Sequence, residues 1–296
     1  MPRTKSTSPD TPNGGFRAPR VASRDPDTWR IPDLSEPRYS QSLERGLAIL
    51  EAFTPERPVL GIADIADSLG MSRSTTHRYV TTLVALGYLE QGARRKYRLG
   101  LRVTDLGMSA LRATGLREQA HADLAELAHR AGYTTCLATL DGGEIVYFDC
   151  VSGSRRRAMV AGPELAAGSR LPSYCTALGK ILLAYLPEQE RRGLLGNLDL
   201  ERRGPNTIAR KSALREELEQ ILEEGFAVED QELADGRIAI GAPVLNEANE
   251  VVAAIDMSAQ TPGIALAELA GALGPHLIAT ADRISARLGY RRDDER

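Results

Sequence analysis

The sequence predicts an α+β fold with a small, mainly helical N-terminal domain and a larger C-terminal domain of mixed helices and strands. Two short amphipathic helical patterns around a glycine are followed at once by a strand-like pair over residues 88–99. From residue 117 onward, helical and strand-like runs alternate. A chain of 296 residues is also long enough for about two domains.

The composition is typical of a globular protein that crosses no membrane. Apolar residues make up 42% and charged residues 26% of the chain. No run approaches the roughly 18 apolar residues that span a bilayer, and the first residues lack the apolar core of a signal peptide. Cys136, Cys150 and Cys175 are too few and too scattered for a disulfide scaffold or a zinc site. We therefore expect a cytoplasmic protein without metal or cofactor.

The charge is distributed unevenly along the chain. Residues 1–39 hold seven basic and five acidic residues, and residues 40–105 hold nine and seven. The remaining residues hold 21 basic and 28 acidic side chains. A mildly basic front end on an acidic body is consistent with nucleic-acid binding at the front. An imbalance of this size also arises from solvation alone.

The first segments are an arm and a helix. Residues 1–38 are rich in Pro, Ser, Thr, Arg and Asp with sparse apolar residues, which predicts a disordered arm. Leu43, Leu47, Leu50 and Phe53 then recur at helical spacing and predict the buried face of a helix capped by Ser42. Thr54-Pro55 ends this helix, because a residue before proline avoids the helical region.

The next stretch predicts a helix-turn-helix. Its first helix buries Ile62, Ile65, Ala66 and Leu69, and Gly70 supplies the tight turn. Ser72 caps the second helix, and Gly87 ends it. The inward positions of that second helix are Thr76, Val80, Leu83 and Val84. Two short helices around a glycine-containing turn are typical of this motif.

A basic hairpin follows and completes a winged helix over residues 39–100. Residues 88–90 and 96–99 are strand-like, with Gly92 in the loop beside Arg94, Arg95 and Lys96. In such a domain the start of the second helix enters the major groove of DNA. The predicted DNA-binding residues are Ser72, Arg73, Ser74, Thr75, His77, Arg78 and, on the wing, Arg94, Arg95 and Lys96. Protein contact, or a hairpin that is merely solvated, is the alternative.

The rest of the chain predicts a linker helix and an α/β domain. Residues 101–116 carry more apolar side chains than a simple linker needs, and we expect them to pack against a second subunit. Residues 117–290 form the second domain, and residues 291–296 form a tail. Predicted elements include a helix at 118–131, a hairpin around Asp141-Gly142-Gly143, a strand at 158–160 and a helix at 175–186. Further helices are predicted at 212–224 and 265–288, and paired strands at 237–245 and 251–259.

Catalytic patterns are weak. The four histidines lack the spacing of a metal site. Cys175 lies near a predicted helix start, where a thiol pKa is lowered, so it could be a nucleophile; a buried pocket wall is the preferred interpretation. The small and polar residues Ser173, Thr176 and Ala177 at the same helix start would suit a carboxylate, because free N–H groups there attract anions.

The sequence resembles the IclR family of bacterial transcriptional regulators from about Tyr39 to Leu288. The segments YSQSLERGLAILEAF, SRSTTHRYVTTLVALGYLE, GSRLPSYCTALGKILLAYLP and DQELADGRIAIGAPVLNEANEVVAAIDMSA carry the resemblance. Within the family it resembles the protocatechuate and 4-hydroxybenzoate regulators of aromatic-acid catabolism. The resemblance implies a GAF-like effector-binding C-terminal domain, a homodimer or dimer of dimers, and palindromic operator DNA.

The resemblance also implies an effector pocket. It transfers onto Cys175, Thr176, Ala177 and Leu178 at the helix start, and onto Ala239, Asp256 and Ser258 in the following strands. Asp256 departs from the family pattern, because a neutral small polar residue is common there. A carboxylate would repel an anionic effector unless Arg155, Arg170 or another base compensates.

We therefore expect a DNA-binding regulator, not an enzyme, whose operator binding responds to a small carboxylate or an aromatic acid. Two alternatives remain at this point. One is an enzyme that uses the Cys175 thiol, and the other is a DNA-binding protein that ignores small molecules.

Overall fold

The computed structural model describes residues 39–154 and 165–291 of the chain. The predicted arm, the strand predicted at 158–160, Arg155 and residues 292–296 of the predicted tail lie outside these ranges. Across the described residues the predicted fold class is confirmed, because a winged helix-turn-helix is followed by a mixed α/β domain.

The N-terminal domain is built from three helices and a three-stranded sheet. Its elements are α1 (Gln41–Glu51), β1 (Leu60–Gly61), α2 (Ile62–Ser68), α3 (Arg73–Ala85), β2 (Leu89–Gln91) and β3 (Lys96–Leu99). The strands are antiparallel in the order β1-β3-β2, and Leu60 lies opposite Tyr97. The short β1 was not predicted, although its extended backbone after Pro58 agrees with the sequence pattern.

The core of this domain agrees with the predicted helix-turn-helix and with half of the predicted face of the first helix, because Phe53 is buried in it and Leu50 packs against it. Ile65, Val80 and Leu83 pack together with Leu89 and Tyr97 of the wing strands. In α1, however, Leu43 and Leu47 are 64% and 52% exposed, while the inward side carries Glu44, Ala48 and Ile49. The predicted cap is also wrong, because Ser40 and not Ser42 accepts the hydrogen bond from the N–H of Leu43.

Two helices connect the domains. Helix α4 (Arg102–Ala113) lies within the predicted linker and has no buried residue. Helix α5 (Leu116–Ala131) begins after Gly115, whose positive φ of 63° breaks the helical path. Leu116 therefore belongs to α5 and is buried there, which corrects its assignment to the linker helix.

The C-terminal domain is built on a six-stranded antiparallel sheet. Its strands are β4 (Thr134–Asp141), β5 (Glu144–Val151), β6 (Arg170–Pro172), β7 (Ala227–Asp230), β8 (Arg237–Leu245) and β9 (Val251–Gln260), in the order β6-β5-β4-β9-β8-β7. Its further helices are α6 (Ala177–Ala184), α7 (Glu188–Asn197), α8 (Lys211–Glu224), α9 (Leu266–Glu268) and α10 (Gly274–Arg287). A five-residue π-helical segment, Leu269–Leu273, joins α9 to α10.

Helices cover both faces of the sheet. One face carries Leu137, Ile240 and Ile255, which pack against α5 and α10. The other face carries Ala138, Ala239 and Ala254, which pack against α6 and, behind it, α8. The second face is lined by small side chains, and a Cβ at Gly241 would lie 3.1 Å from the carbonyl carbon of Ala177. Helix α6 therefore starts in close contact with the middle of the sheet.

Three cysteines are too few for a disulfide scaffold, but two of them are paired. Cys136 of β4 lies opposite Cys150 of β5, and the two form a disulfide, while Cys175 is free and buried. The spacing of 14 residues does not by itself predict this disulfide, because the two side chains meet only through the register of the β4–β5 hairpin. In the described part of the chain, no helix has the length and apolar character needed to cross a membrane.

Candidate nucleic-acid interface and buried polar cluster

Helix α3 has a strong N-cap. The Ser72 hydroxyl oxygen accepts a hydrogen bond from the N–H of Thr75 at 3.2 Å, and its O–H donates to the Thr75 hydroxyl at 2.8 Å. Thr76 faces inward, and its hydroxyl donates to the Ser72 carbonyl. The cap and the buried Thr76 fix the direction in which the first turn of α3 presents its other side chains.

Those other side chains point into solvent. Arg73, Ser74, His77 and Arg78 are all exposed, on the side of α3 opposite Thr76, Val80 and Leu83. The guanidinium of Arg78 lies 5.9 Å from the ring centre of Tyr79. Guanidinium and hydroxyl groups on the first turns of an exposed helix can reach base edges in a major groove.

The wing tip has an unusual backbone. Arg94 and Arg95 both have φ of 57°, in the left-handed region that costs free energy for residues other than glycine. Both side chains are exposed. Strained backbone is found disproportionately at sites of function, and here it directs two guanidinium groups outward from the tip.

Lys96 has a structural partner. Its ammonium donates to Asp64 at 2.7 Å, and the same carboxylate accepts a hydrogen bond from the N–H of Gly61. The hydrogen bonds from Lys96 and Gly61 lower the pKa of Asp64. Lys96 therefore joins the wing to the start of α2, and its half-exposed ammonium is less available for DNA than the two arginines.

The predicted site at the start of α6 is closed. Cys175 lies in a 3-10 turn, Ser173–Cys175, that precedes the helix, and Thr176 is the N-cap, accepting from the N–H of Gly179 at 3.1 Å. Ala177 and Leu178 are fully buried. Burial, reinforced by the Glu229 carboxylate, raises the pKa of Cys175 to about 12. The expectation of a lowered thiol pKa is therefore wrong, because desolvation outweighs the helix terminus.

Opposite that helix start, the sheet carries five polar side chains that we call the buried polar cluster: Tyr147, Glu229, Arg237, Asp256 and Ser258. The Nε–H of Arg237 donates to both carboxylate oxygens of Glu229 at 3.1 and 3.3 Å. Nη2 of Arg237 lies 3.7 Å from Oδ2 of Asp256. In the register of β8 and β9, Ala239 faces Ser258 and Gly241 faces Asp256. The structure thus brings together the predicted Ala239, Asp256 and Ser258.

The base beside Asp256 is Arg237 and not Arg170, which is the one predicted arginine that lies within the described residues. Arg170 instead donates to Asp141 and Glu144 at the sheet edge. Asp256 also accepts a hydrogen bond from the N–H of Cys136 at 3.1 Å. Burial raises the pKa of Asp256 to about 7, against the opposing effect of Arg237.

Sequence reasoning missed Arg237, Glu229 and Tyr147. One signal was available in the sequence. Side chains alternate between the two faces of a strand, so Arg237 lies on the same face as Ala239 and Gly241, which is the face that α6 covers. Tyr147 is fully buried beside Arg237, and its hydroxyl makes no hydrogen bond of normal distance within the part of the chain that the structure describes. Burial and the Asp256 carboxylate raise the pKa of this phenol.

A second ionic network lies behind α6. The ammonium of Lys180 donates to Glu217 at 2.7 Å and to Glu232 at 2.5 Å. Burial would lower the pKa of Lys180, but the two carboxylates reverse the direction and raise it. Lys180 therefore holds α6, α8 and the loop after β7 together. In the described residues, no group of three or more His, Cys, Asp or Glu side chains could hold a metal ion.

Comparison with known proteins matches both halves of the chain. The model of the IclR helix-turn-helix domain matches residues 42–93, and the model of the bacterial transcriptional regulator IclR C-terminal domain matches residues 108–286. The HTH-type transcriptional regulator XynR of Escherichia coli is 36% identical over 251 residues, which cover 84% of this chain and 98% of that protein. The Pca regulon regulatory protein of Pseudomonas putida is 32% identical over 246 residues, and this aligned region covers 83% of this chain and 83% of that protein.

A solved structure is similar over the same region. It is an IclR homolog complexed with 4-hydroxybenzoate from Microbacterium hydrocarbonoxydans, with a TM-score of 0.71 and 27% identity. The match covers 83% of this chain and 98% of that one.

The capped, exposed helix of a winged domain and the IclR-type C-terminal domain that follows it define a DNA-binding transcriptional regulator. The chain belongs to the IclR family. The resemblance read from the sequence is therefore confirmed at the level of the family.

Proposed function

We propose that this protein is a regulator that binds a palindromic operator sequence and changes its affinity for that DNA when a small carboxylate or an aromatic acid occupies the C-terminal domain. The observation that carries the proposal is the first turn of α3, where the Ser72 cap and buried Thr76 leave Arg73, Ser74, His77 and Arg78 exposed. Arginine pairs with guanine, and hydroxyls contact bases or phosphates. Because DNA is the partner, we expect the protein in the cytoplasm.

The proposed DNA interface has two parts. Ser72, Thr75 and the exposed side chains of α3 lie in the major groove, and the Arg94–Arg95 tip contacts phosphates beside it. Lys96 contributes by fixing the wing through Asp64. The proposed effector site comprises the predicted residues Cys175, Thr176, Ala177, Leu178, Ala239, Asp256 and Ser258, all buried where α6 meets the sheet.

Relatives support an aromatic acid as the effector. One relative is named for the Pca regulon, another, from Acinetobacter baylyi, is a p-hydroxybenzoate hydroxylase transcriptional activator, and an IclR homolog binds 4-hydroxybenzoate. We infer control of aromatic-compound catabolism on this basis. An effector can change DNA affinity only to the extent that it binds two states of the protein differently.

The test is binding of the full chain to the DNA upstream of its own gene and to a scrambled duplex of the same length, measured by fluorescence anisotropy. We expect clear preference for the upstream duplex and a change in affinity with 4-hydroxybenzoate or another carboxylate. Equal affinity for both duplexes would contradict the proposal. Preference that no small molecule changes would favour the effector-independent alternative.

The enzyme alternative has weaker support. A reactive cysteine needs an accessible thiolate, whereas Cys175 is fully buried and its pKa is raised to about 12. We propose that Cys175 serves as a wall of the effector site and not as a nucleophile.

A further inference from the structure

Three hydrogen-bond donors of the buried polar cluster make no hydrogen bond of normal distance within the described residues. They are the hydroxyls of Tyr147 and Ser258 and the Nη2 of Arg237, which lies 3.7 Å from Oδ2 of Asp256, and none of the three residues is more than 2% exposed. A buried donor without an acceptor costs free energy, because it has given up its hydrogen bonds to water. Three such donors in one cluster therefore favour a bound group that supplies acceptors.

The sheet brings these donors together. Ser258 and Asp256 lie on the same face of β9, and Ser258 is opposite Ala239, which is two residues from Arg237 on β8. Tyr147 comes from β5, but Ala138 and Ala254 lie between it and β8, and their small side chains let the phenol reach across. The charges of Asp256 and Arg237 both act on its hydroxyl, which places the phenol beside these two side chains.

The charges within the buried polar cluster are not balanced. One guanidinium, Arg237, faces two carboxylates, Glu229 of β7 and Asp256 of β9. The phenol of Tyr147 faces Arg237 from β5, and the thiol of Cys175 faces Glu229 from the turn before α6. The charge of Lys180 in α6 also acts on Glu229, but Lys180 is paired with two further carboxylates, Glu217 and Glu232, so the excess of carboxylates remains.

We infer that the Nη2 of Arg237 and the hydroxyls of Tyr147 and Ser258 bind the carboxylate of the effector, and that Asp256 takes up a proton when this carboxylate enters. The inference rests on the proposed function and specifies the chemistry of its effector site. Arg237 and Tyr147 become specificity-determining residues, because they distinguish a carboxylic acid from a neutral ligand of the same shape.

The proton follows from the geometry. A third carboxylate beside one guanidinium would place like charges in a buried site, where adjacent carboxylates do not all ionise. Asp256 is the residue to be protonated, because it lies 3.7 Å from Nη2 whereas Glu229 holds Nε–H through both oxygens. Its raised pKa of about 7 makes that protonation accessible. Affinity for a carboxylate should then be constant below about pH 7 and fall about tenfold per pH unit above it.

The test measures affinity calorimetrically on the full chain between about pH 6 and about pH 9. The carboxylate probes are 4-hydroxybenzoate, pyruvate and gluconate, and 4-hydroxybenzamide is the neutral match for the first. We expect at least one carboxylate to bind with the stated pH dependence, and the amide to bind at least about tenfold more weakly, because it lacks the charge. Failure of all three carboxylates to bind, or equal binding of acid and amide, would overturn the inference.

Substitutions separate this site from others. Tyr147→Phe removes a hydroxyl that makes no hydrogen bond of normal distance among the described residues, so it should leave thermal stability intact and weaken the carboxylate about tenfold. Arg237→Lys keeps the charge beside Glu229 but loses the forked donor, and should weaken it at least as much. The matched control is Tyr174→Phe, whose hydroxyl donates to the Glu201 carbonyl at 2.8 Å. This control should lose stability and keep affinity.

The Asp256→Asn variant tests whether Asp256 takes up a proton when the carboxylate binds. The amide keeps an acceptor for the N–H of Cys136 and removes the negative charge, so carboxylate affinity should become independent of pH. Unchanged pH dependence in this variant, or unchanged affinity in Tyr147→Phe, would show that the carboxylate binds elsewhere. Measuring the preference for operator DNA on the same samples distinguishes the two proposals. If the wild-type protein shows no such preference, the proposed regulator function is wrong. If the preference is present but the carboxylate results fail, only the proposed carboxylate site is wrong.

Discussion

Arg73 is the first residue of α3, and its exposed side chain is the best placed of the set to reach a base edge. We predict that Arg73→Ala weakens binding to the operator by about 1–3 kcal/mol while affecting random DNA much less. Titration of both duplexes by fluorescence anisotropy measures the difference. Arg215→Ala, which removes an exposed arginine from α8, is the matched control and should bind both duplexes normally. Equal losses on the two duplexes would make Arg73 a phosphate contact.

Cys175 allows a second test at the scale of one residue. With a pKa of about 12, only about one thiol in 10⁵ is ionised at pH 7, and the sulfur is fully buried. We predict that iodoacetamide labels Cys175 in the native protein orders of magnitude more slowly than in the unfolded protein, as followed by mass spectrometry. Fast labelling of the folded chain at neutral pH would support the enzyme alternative.

Single residues show where the sequence was sufficient and where it was not. Ser72 could be assigned as a cap because its hydrogen-bond partner, Thr75, is only three residues away in the sequence. Arg237 could not be paired with Asp256 in the same way, because their contact depends on the register of two strands and not on local spacing. The family resemblance therefore assigned Asp256 to the proposed effector site, with Arg155, Arg170 or another base expected to compensate it. Arg170 instead pairs with Asp141 and Glu144 at the sheet edge.

Among the elements, the wing is the one whose role depends most on charge. We predict that replacing both Arg94 and Arg95 with alanine makes the plot of log affinity against log salt concentration less steep. The decrease should correspond to the loss of up to about two phosphate contacts. Folding should persist, because both side chains are exposed and β3 still pairs with β2. The measurement is operator affinity at several salt concentrations. An unchanged slope would remove the wing tip from the interface.

The docking of α6 depends on Gly179. A Cβ at this position would overlap the backbone of Ser173, so we predict that Gly179→Ala destabilises the domain by about 1–3 kcal/mol or more. Gly193→Ala in α7 is the matched control, because a Cβ there would meet nothing within 4 Å and alanine favours a helix by about 1 kcal/mol. Urea denaturation of both variants measures the two changes. Equal stability of the two variants would contradict the tight contact.

Helix α1 shows a limit of periodicity. The spacing of Leu43, Leu47 and Leu50 correctly indicates a helix with an apolar face. It does not indicate which face packs inside the same chain, and Ala48 and Ile49 take that place beside Val80. Leu43 and Leu47 are left on the surface. So are Leu101, which precedes α4, and Leu106 within α4, a helix without any buried residue.

At the scale of the whole molecule, these leucines bear on assembly, because large exposed apolar side chains that cluster on a surface are typical of an interface between subunits. We predict that the wild-type protein is a dimer or a dimer of dimers of the 32.1 kDa chain, and that Leu43→Glu combined with Leu106→Glu yields monomers. Two recognition helices about 34 Å apart read the two halves of a palindrome. The monomer should therefore lose affinity for the full operator while keeping its weak binding to a half-site. Light scattering and anisotropy measure the two effects, and Leu222→Glu, at an exposed leucine of α8, is the control that should remain assembled. A wild type that is monomeric at micromolar concentration would contradict this account of how the two winged domains are held on DNA.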